Sequence, residues 1–511
     1  MKLRHPDDIR APKGVAVRCE PAEGALNVYI KSEAVPVDYV RLIWDFTSYE
    51  VRKEPVKVLG DCWERGYGEL EWGSIMPHRV MPWAFMVSNG SDTSREISTR
   101  YTEGFGVMAR PGAVCMWCYE KHRATLIIDA RSGGEGVHLN GRELLACRIR
   151  MGEYWCMSAF EASRRFYKTL CTDGIFPSEP VYGSNNWYYA YGKSNRAQIL
   201  KDAGLIAELC EGLSPRPFMV IDAGWNLGAC CPWEANNPDY GDMQTLAQEI
   251  AALDVKPGAW VRYLCNEEGR MEVPAEWRLS RDGRYLDPSH PEVLDYIKEV
   301  TRRISAEWGY KLIKHDFSFF DVFGEWGFQR KDSITREGWT FFDNTKTSAE
   351  IMENMYRTIY ESAAPGTVII ACNVPGFLTA GYAHINRAGD DTSGKDWERT
   401  RRYGVNTVAF RKMYDGAFYK ADCDCVGHMG LINWGFNRKW ARLIASSGTP
   451  LFFSIDPDVV NAGEKAEIKN WLKQGAAQTD TAIPMDWMET TCPERWKING
   501  EETEIDWGSS I

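Results

Sequence analysis

Up to about residue 178 the apolar positions come in short runs, among them Ala25–Ile30 and Ala124–Asp129, separated by Gly, Pro and Asp. Runs of this length, alternating or clustered between turn-forming residues, predict β-strands. Several in succession without a helical period predict an N-terminal β-sandwich domain over 1–178. Only Ser158 to Leu170 carries helical spacing, and it leads out of that domain. Past Phe176-Pro177-Ser178-Glu179-Pro180 the pattern changes, and strand-like runs alternate with amphipathic helical windows. Eight runs qualify as strands: Val181–Trp187, Pro217–Asp222, Pro257–Leu264, Leu312–Phe317, Thr367–Val374, His384–Asp391, Phe418–Cys425 and Pro450–Ile455. Windows such as Arg196–Cys210, Asp242–Leu253, Glu292–Glu307, Ser348–Ser362 and Trp397–Tyr414 supply helices between them. Only the fifth connection, Pro375 to Ala383, is too short for a regular helix. Eight strands over roughly 280 residues suit a (β/α)8 TIM barrel, typically of about 250, placed at 179–467. From Ile468 a helix ending near Lys473 gives way to a polar tail, 468–511. There Trp496–Ile498 and Glu504–Trp507 flank Asn499-Gly500 and read as a hairpin. The predicted fold is α/β, a (β/α)8 barrel with an N-terminal β-sandwich and a short C-terminal β tail.

Composition narrows the partners. With 511 residues the chain is too long for one compact core. Its formal net charge of −11 argues against nucleic acid or an anionic membrane surface as a partner. No run of apolar residues is long enough to span a bilayer. No apolar stretch follows Met1 to Asp8, so the sequence predicts no signal peptide. The 15 cysteines are odd in number and scattered, which favours reduced thiols and a cytoplasmic protein. Cys115-Met116-Trp117-Cys118 has C-x-x-C spacing, but no second pair or His cluster follows at zinc spacing, so buried structural thiols are expected. Asn89-Gly90-Ser91 is a formal glycosylation sequon that reads as a turn. The 21 Trp, 23 Tyr and 20 Phe suit either sugar-binding surfaces or plain core. Nothing sets an oligomeric state, for which a homo-oligomer is the common case.

The polar residues concentrate where a barrel would need them for chemistry. The carboxyl ends of the predicted strands carry Asn185, Asn186 and Trp187, then Asp222, Trp225, Trp260 and Arg262. Lys314, Asp316, Cys372, Asn373, Arg387, Asp390, Asp391, Asp422, Asp424 and Asp456 follow in chain order. A buried strand tip gains nothing structurally from so many charges, each of which must be paired or solvated, so the set points to a site. Within it, Asp316 and the Asp390-Asp391 pair supply two carboxylates on two strand ends, the requirement of retaining glycoside hydrolysis. Lys314, one pleat repeat before Asp316, faces the same way and would keep that carboxylate ionised. No metal, nucleotide or other cofactor is called for, and no phosphate-cradling loop is present. Asp422-Cys423-Asp424-Cys425 reads as a sugar-binding or loop-capping pair before it reads as a metal site. Trp225 and Trp233 suit outer subsites and core equally.

A series of motifs carries a resemblance. Asn186-Trp187-Tyr188-Tyr189, Phe218–Asp222, Gly241-Asp242-Met243, Lys256–Trp260, Lys314-His315-Asp316, Cys372–Pro375 and Arg387–Asp391 occur in the order and at the gaps of family 36 glycoside hydrolases. Those are the α-galactosidases and α-N-acetylgalactosaminidases of the melibiase clan. The resemblance covers roughly 180 to 460 and reaches more loosely into the front domain through Gly60–Arg65. It implies Asp316 as nucleophile and Asp391 as acid/base, with Asp390 as the rival for that role. It further implies Asp222, Trp260, Lys314, Cys372, Arg387 and Trp187 as substrate-binding residues, with Trp63 reaching in from the front domain. The implied activity is retaining, exo-acting hydrolysis of terminal α-galactosides in an oligosaccharide or glycoside substrate.

Two positions depart from the family pattern. Ala223 stands where a second carboxylate usually follows Asp222, and Asn373 stands where Gly is expected after the Cys. Both bear on which sugar is taken, and neither touches Asp316 or Asp391. An α-N-acetylgalactosaminidase, a transglycosylase that passes the sugar to another sugar, and a non-catalytic sugar-binding homologue are the alternative readings.

Overall fold

The computed structural model describes residues 4–46, 56–89, 96–120, 122–226, 237–266 and 272–511. Its front part holds two antiparallel sheets. One runs β1-β4-β10-β9-β6, from β1 (Asp8–Arg10), β4 (Tyr39–Asp45), β6 (Met81–Pro82), β9 (Val114–Glu120) and β10 (Arg123–Asp129). The other runs β2-β3-β11-β8-β7-β5, from β2 (Val15–Ala22), β3 (Ala25–Ser32), β5 (Lys57–Gly60), β7 (Ala84–Ser88), β8 (Tyr101–Val107) and β11 (Glu143–Trp155). The period-2 pattern explains their facing: Val40, Leu42 and Trp44 of β4 are buried while Arg41 between them is exposed. Trp117 of β9 reaches across to Phe85 of β7 and Phe105 of β8, at ring distances of 5.7 and 6.3 Å, and ties one sheet to the other. Helix α1 (Ala159–Leu170), N-capped by Ser158, packs on β8 and leads onward as the sequence predicts.

The second part is built on nine parallel strands: β12 (Tyr182–Asn185), β13 (Phe218–Ile221), β14 (Lys256–Val261), β15 (Leu312–His315), β16 (Val368–Ala371), β17 (Ile385–Arg387), β18 (Lys420–Asp422), β19 (Cys425–His428) and β20 (Leu451–Ile455). They lie in the order β18-β17-β16-β15-β14-β13-β12-β20-β19, so the sheet curls. The run predicted as one strand, Phe418–Cys425, is broken in two. Its first half pairs with β17 and its second with β20, and only Cys423 and Asp424 join the two outermost strands of the sheet. The break has a local cause. Asp424 adopts a left-handed backbone (φ 76°), which Asp tolerates better than most residues, and such a residue cannot continue a ladder. The predicted sixth strand also ends early, at Arg387, so Asp390 and Asp391 lie on the loop beyond it.

Helices α3 (Arg196–Leu209), α4 (Met243–Ala252), α5 (Pro291–Arg302) and α7 (Ser348–Ser362) occupy the predicted windows. The window Trp397–Tyr414 instead forms short helical pieces, including α9 (Trp397–Thr400) and α10 (Asn406–Arg411), joined by a wider turn. After α12 (Ala462–Ala477) the tail forms a three-stranded antiparallel sheet, with the Asn499-Gly500 turn at φ 49° and 91°. Its Trp487 is buried against Trp72 of the front part and Phe410 of α10, so the tail spans both. Among the described residues no helix is long and apolar enough to cross a membrane.

Candidate active site

A cavity of about 380 Å³ opens at the carboxyl ends of the parallel strands. The alternation of a strand decides who faces it. In β15, Lys314 points to the cavity and His315 away from it. His315 is buried against Tyr356 of α7, and burial pushes its imidazole down to about 3. Asp316, immediately past the strand, returns to the cavity side.

The Asp316 carboxylate is held by uncharged donors. Trp260 of β14 donates its indole N–H to Oδ2 at 3.0 Å, the Phe317 backbone N–H donates to Oδ1 at 2.7 Å, and the Asn373 amide also donates to Oδ1. Phe317 and Asn373 both take left-handed backbones, at φ 64° and 55°. Non-glycine residues in that region cost on the order of 1–2 kcal/mol each, and such strain gathers at functional sites. Deeper in, Asp222 accepts from Lys314 Nζ and Asn185 Nδ2, both at 2.8 Å, and from its neighbour's backbone N–H. Burial opposes the charge on Lys314, but Asp222 together with Cys372 and Asp316 outweighs it and holds the ammonium well above its ordinary value.

The other carboxylates sit among cations. Asp390 pairs with Arg65 at 2.9 Å and with Arg399 at 3.2 Å, and its Oδ1 also accepts the Asp391 N–H. Asp391 pairs through Oδ1 with Arg387 at 3.0 Å and more distantly with Arg65 at 3.7 Å, while 37% of its side chain remains exposed. Burial on its inner side would raise this carboxyl, but Arg387, Arg65 and Lys314 together outweigh it and hold it below the usual carboxylate range. Arg387 is itself fixed from behind by Asp424 at 2.9 Å. Asp424 also accepts from the Thr392 N–H and the Tyr188 hydroxyl, so the break in the seventh run supplies the support for Arg387.

Arg65 comes from the front part by a specific device. The Gly66 N–H donates to Ala388 O at 3.1 Å and Gly66 O accepts the Asp390 N–H at 2.7 Å, a parallel bridge between Gly66 and Gly389. The stretch around Gly66 thus lies alongside the loop after β17 and aims Arg65 and Tyr67 into the cavity. Gly389 is required at this crossing, because a Cβ there would lie 1.7 Å from Thr407 Oγ1.

Of the sequence-predicted residues, Asp316, Asp391, Asp222, Trp260, Lys314 and Trp187 line the cavity together, as do Ala223, Asn373 and Asp390. Three of the residues implied by the resemblance do not line it. Arg387 and Cys372 lie beneath its floor, buried, and Arg387 acts on Asp391 from below. Trp63 is packed in the front core, edge-on to Trp83, which in turn stacks on Phe377 in the chain after β16. Trp225 is fully buried with its indole N–H on the Trp260 carbonyl, and Trp233 lies outside the described residues. The resemblance points to Trp63 in the front segment, whereas the structure brings Arg65 and Tyr67 to the cavity. The charge of Arg65, out of place in a β-rich core, was the available signal. Trp326, Phe328 and Arg399 also line the cavity without having been anticipated.

The fold has counterparts among solved glycoside-cleaving enzymes. No family model matches the sequence, and no curated protein matches it. The chain shares its fold with solved α-galactosidases. One is TtGalA, the α-galactosidase of Thermus thermophilus in complex with p-nitrophenyl α-D-galactopyranoside, with a TM-score of 0.65 at 15% identity over 100% of this chain and 99% of that one. A second is a variant of the family 36 α-galactosidase AgaA of Geobacillus stearothermophilus in complex with 1-deoxygalactonojirimycin, with a TM-score of 0.59 at 14% identity over 92% and 68%. A third is the α-galactosidase of Lactobacillus brevis, with a TM-score of 0.59 at 14% identity over 94% and 70%.

Proposed function

We propose that this chain is a retaining, exo-acting α-glycosidase that hydrolyses terminal α-galactosides. The carrying observation is that Asp316 and Asp391, the pair to which the motif series gives the nucleophile and acid/base roles, line one cavity in a fold shared with α-galactosidases. In this reading the curled sheet is a (β/α)8 barrel whose seventh strand is split at Cys423-Asp424, and the two front sheets form a β-sandwich. The front domain covers 1–178, and the last boundary sits at the end of α12 instead of within it.

Asp316 attacks the anomeric carbon. Its three neutral donors orient the carboxylate without cancelling its charge, which leaves it nucleophilic. Asp391 gives a proton to the leaving oxygen and then takes one from water, releasing the sugar. The nearest approaches of Arg387 and Arg65 to its carboxylate both fall on Oδ1, which favours Oδ2 for the leaving group. A substrate filling the cavity excludes water from Oδ2 and raises the carboxyl toward the protonated state that the first step needs. Asp222 and Lys314 hold sugar hydroxyls at the inner end, and one cavity of this size suits a single terminal residue.

The test is p-nitrophenol release from p-nitrophenyl α-galactoside by the wild-type protein and by Asp316→Ala. Release that vanishes in the variant supports both the activity and the nucleophile. No release by the wild type redirects attention to Ala223 and Asn373 and to other α-glycosides, and equal release by both proteins sinks the mechanism.

A further inference from the structure

The cavity has an aromatic side that the hydrolytic chemistry does not use. Phe328 lines its mouth with 65% of the residue exposed, an unusual position for a large apolar ring. The ring is not loosely held. Gly327 just before it, through its backbone, and Arg330 two residues after it, through its side chain, are both tied to Glu64 of the front part, a side chain that is 1% exposed. Glu64 accepts from the Gly327 N–H at 2.7 Å, from Arg330 at 3.0 Å and from the Tyr67 hydroxyl. Tyr67 in turn braces Phe328 edge-on at 5.0 Å. The direction of this aromatic side follows from Arg65, whose guanidinium lies 4.7 Å over the Trp326 ring while pairing with Asp390 and Asp391. The rings therefore adjoin the proposed acid/base, not the Asp222–Lys314 end.

The acid/base protonates the oxygen that joins the cleaved sugar to its leaving group, so whatever lies beyond that oxygen must run along this side. We propose that Phe328, with Trp326 and Tyr67 behind it, is the platform on which the leaving group stacks. The group it takes is a six-membered ring with an apolar face, a second pyranose or an aryl ring. The assignment rests on the reading of Asp391 as acid/base. A ring held on Phe328 presents its glycosidic oxygen to Asp391, and a leaving group without a ring gains nothing from it.

The experiment compares kcat/KM for α-galactosyl fluoride, p-nitrophenyl α-galactoside and α-galactosyl-(1→6)-glucose in wild type, Phe328→Ala and Phe328→Trp. In Phe328→Ala, kcat/KM for either ring-bearing substrate divided by that for the fluoride should fall about 5-fold, the scale of one stacking contact. Phe328→Trp should restore the ratio. An equal loss on all three substrates would mark Phe328 as merely structural and overturn the platform, and so would no loss on any. Failure of the wild type to turn over all three substrates is seen before any variant is made. It removes the α-galactoside reading, and the platform falls with it.

Discussion

At one end of the cavity Asp316 is held by an indole N–H, a backbone N–H and a carboxamide, none of them charged. At the other end Asp390 and Asp391 are held by Arg65, Arg387 and Arg399. Neutral donors orient a carboxylate and leave its charge available to an electrophile. Guanidiniums also orient it, and in addition they displace its titration. The two ends suit two tasks. A nucleophile needs a fixed direction and an intact charge, whereas a proton carrier needs an affinity for the proton set by its surroundings. The ends also differ in origin. The three donors to Asp316 come from β14 and from just past the ends of β15 and β16, neighbours in one sheet, while the clamp on Asp390 and Asp391 needs Arg65 from the front part.

Removing the proposed nucleophile tests the contrast most severely. Asp316→Gly should lose about 10^4-fold or more in kcat on p-nitrophenyl α-galactoside. Added azide, small enough for the vacated space, should restore part of the rate and give the β-configured galactosyl azide, as NMR would show. An azide product of α configuration would exclude a nucleophile on that side. Asp391→Ala should cost about 10²–10⁴-fold on a disaccharide and less on p-nitrophenyl α-galactoside, whose phenolate departs with little protonation. If the two substrates lose equally, or if Asp390→Ala shows the leaving-group dependence instead, the two Asp roles are reversed.

Asn373→Gly removes one neutral donor and frees a left-handed backbone position. It should lower kcat by roughly tenfold or less, the scale of one hydrogen bond. The melting temperature should hold or rise, since Gly suits φ 55°. A melting temperature that falls would mean that the amide holds up the fold more than it aims Asp316. The mildest change is Arg65→Met. This guanidinium lowers the Asp391 carboxyl, so its loss must raise it. The acid form then persists to higher pH, and the alkaline limb of kcat/KM against pH should move upward in the variant. A limb that stays still or moves down would separate Arg65 from the proton carrier.

The strands and their tips were legible because apolar runs bounded by breakers and followed by charge carry both position and direction. Asp222, Trp260, Lys314 and Asp316 follow from that pattern together with the pleat. What escaped depends on contacts between parts distant in sequence. The Gly66–Gly389 bridge has no local signature, so Arg65 and Tyr67 stayed hidden behind the more conspicuous Trp63. The split in the seventh run escaped for a related reason. Phe418–Cys425 has strand composition throughout, and only the partners gathered by the Asp424 carboxylate make the left-handed turn there worthwhile.

The junction at Gly66 has a further meaning for how the molecule comes into being. The front part leaves the ribosome first and carries Arg65 with no carboxylate yet made to meet it. Asp390 and Asp391 are more than 300 positions away in the chain and arrive only when the sheet has curled far enough for β17 to take its place. A chain in which the two parts fail to meet would leave Asp391 without its front-part arginine. Any turnover at this site is then a certificate of assembly, withheld until the front part and the loop after β17 have found one another.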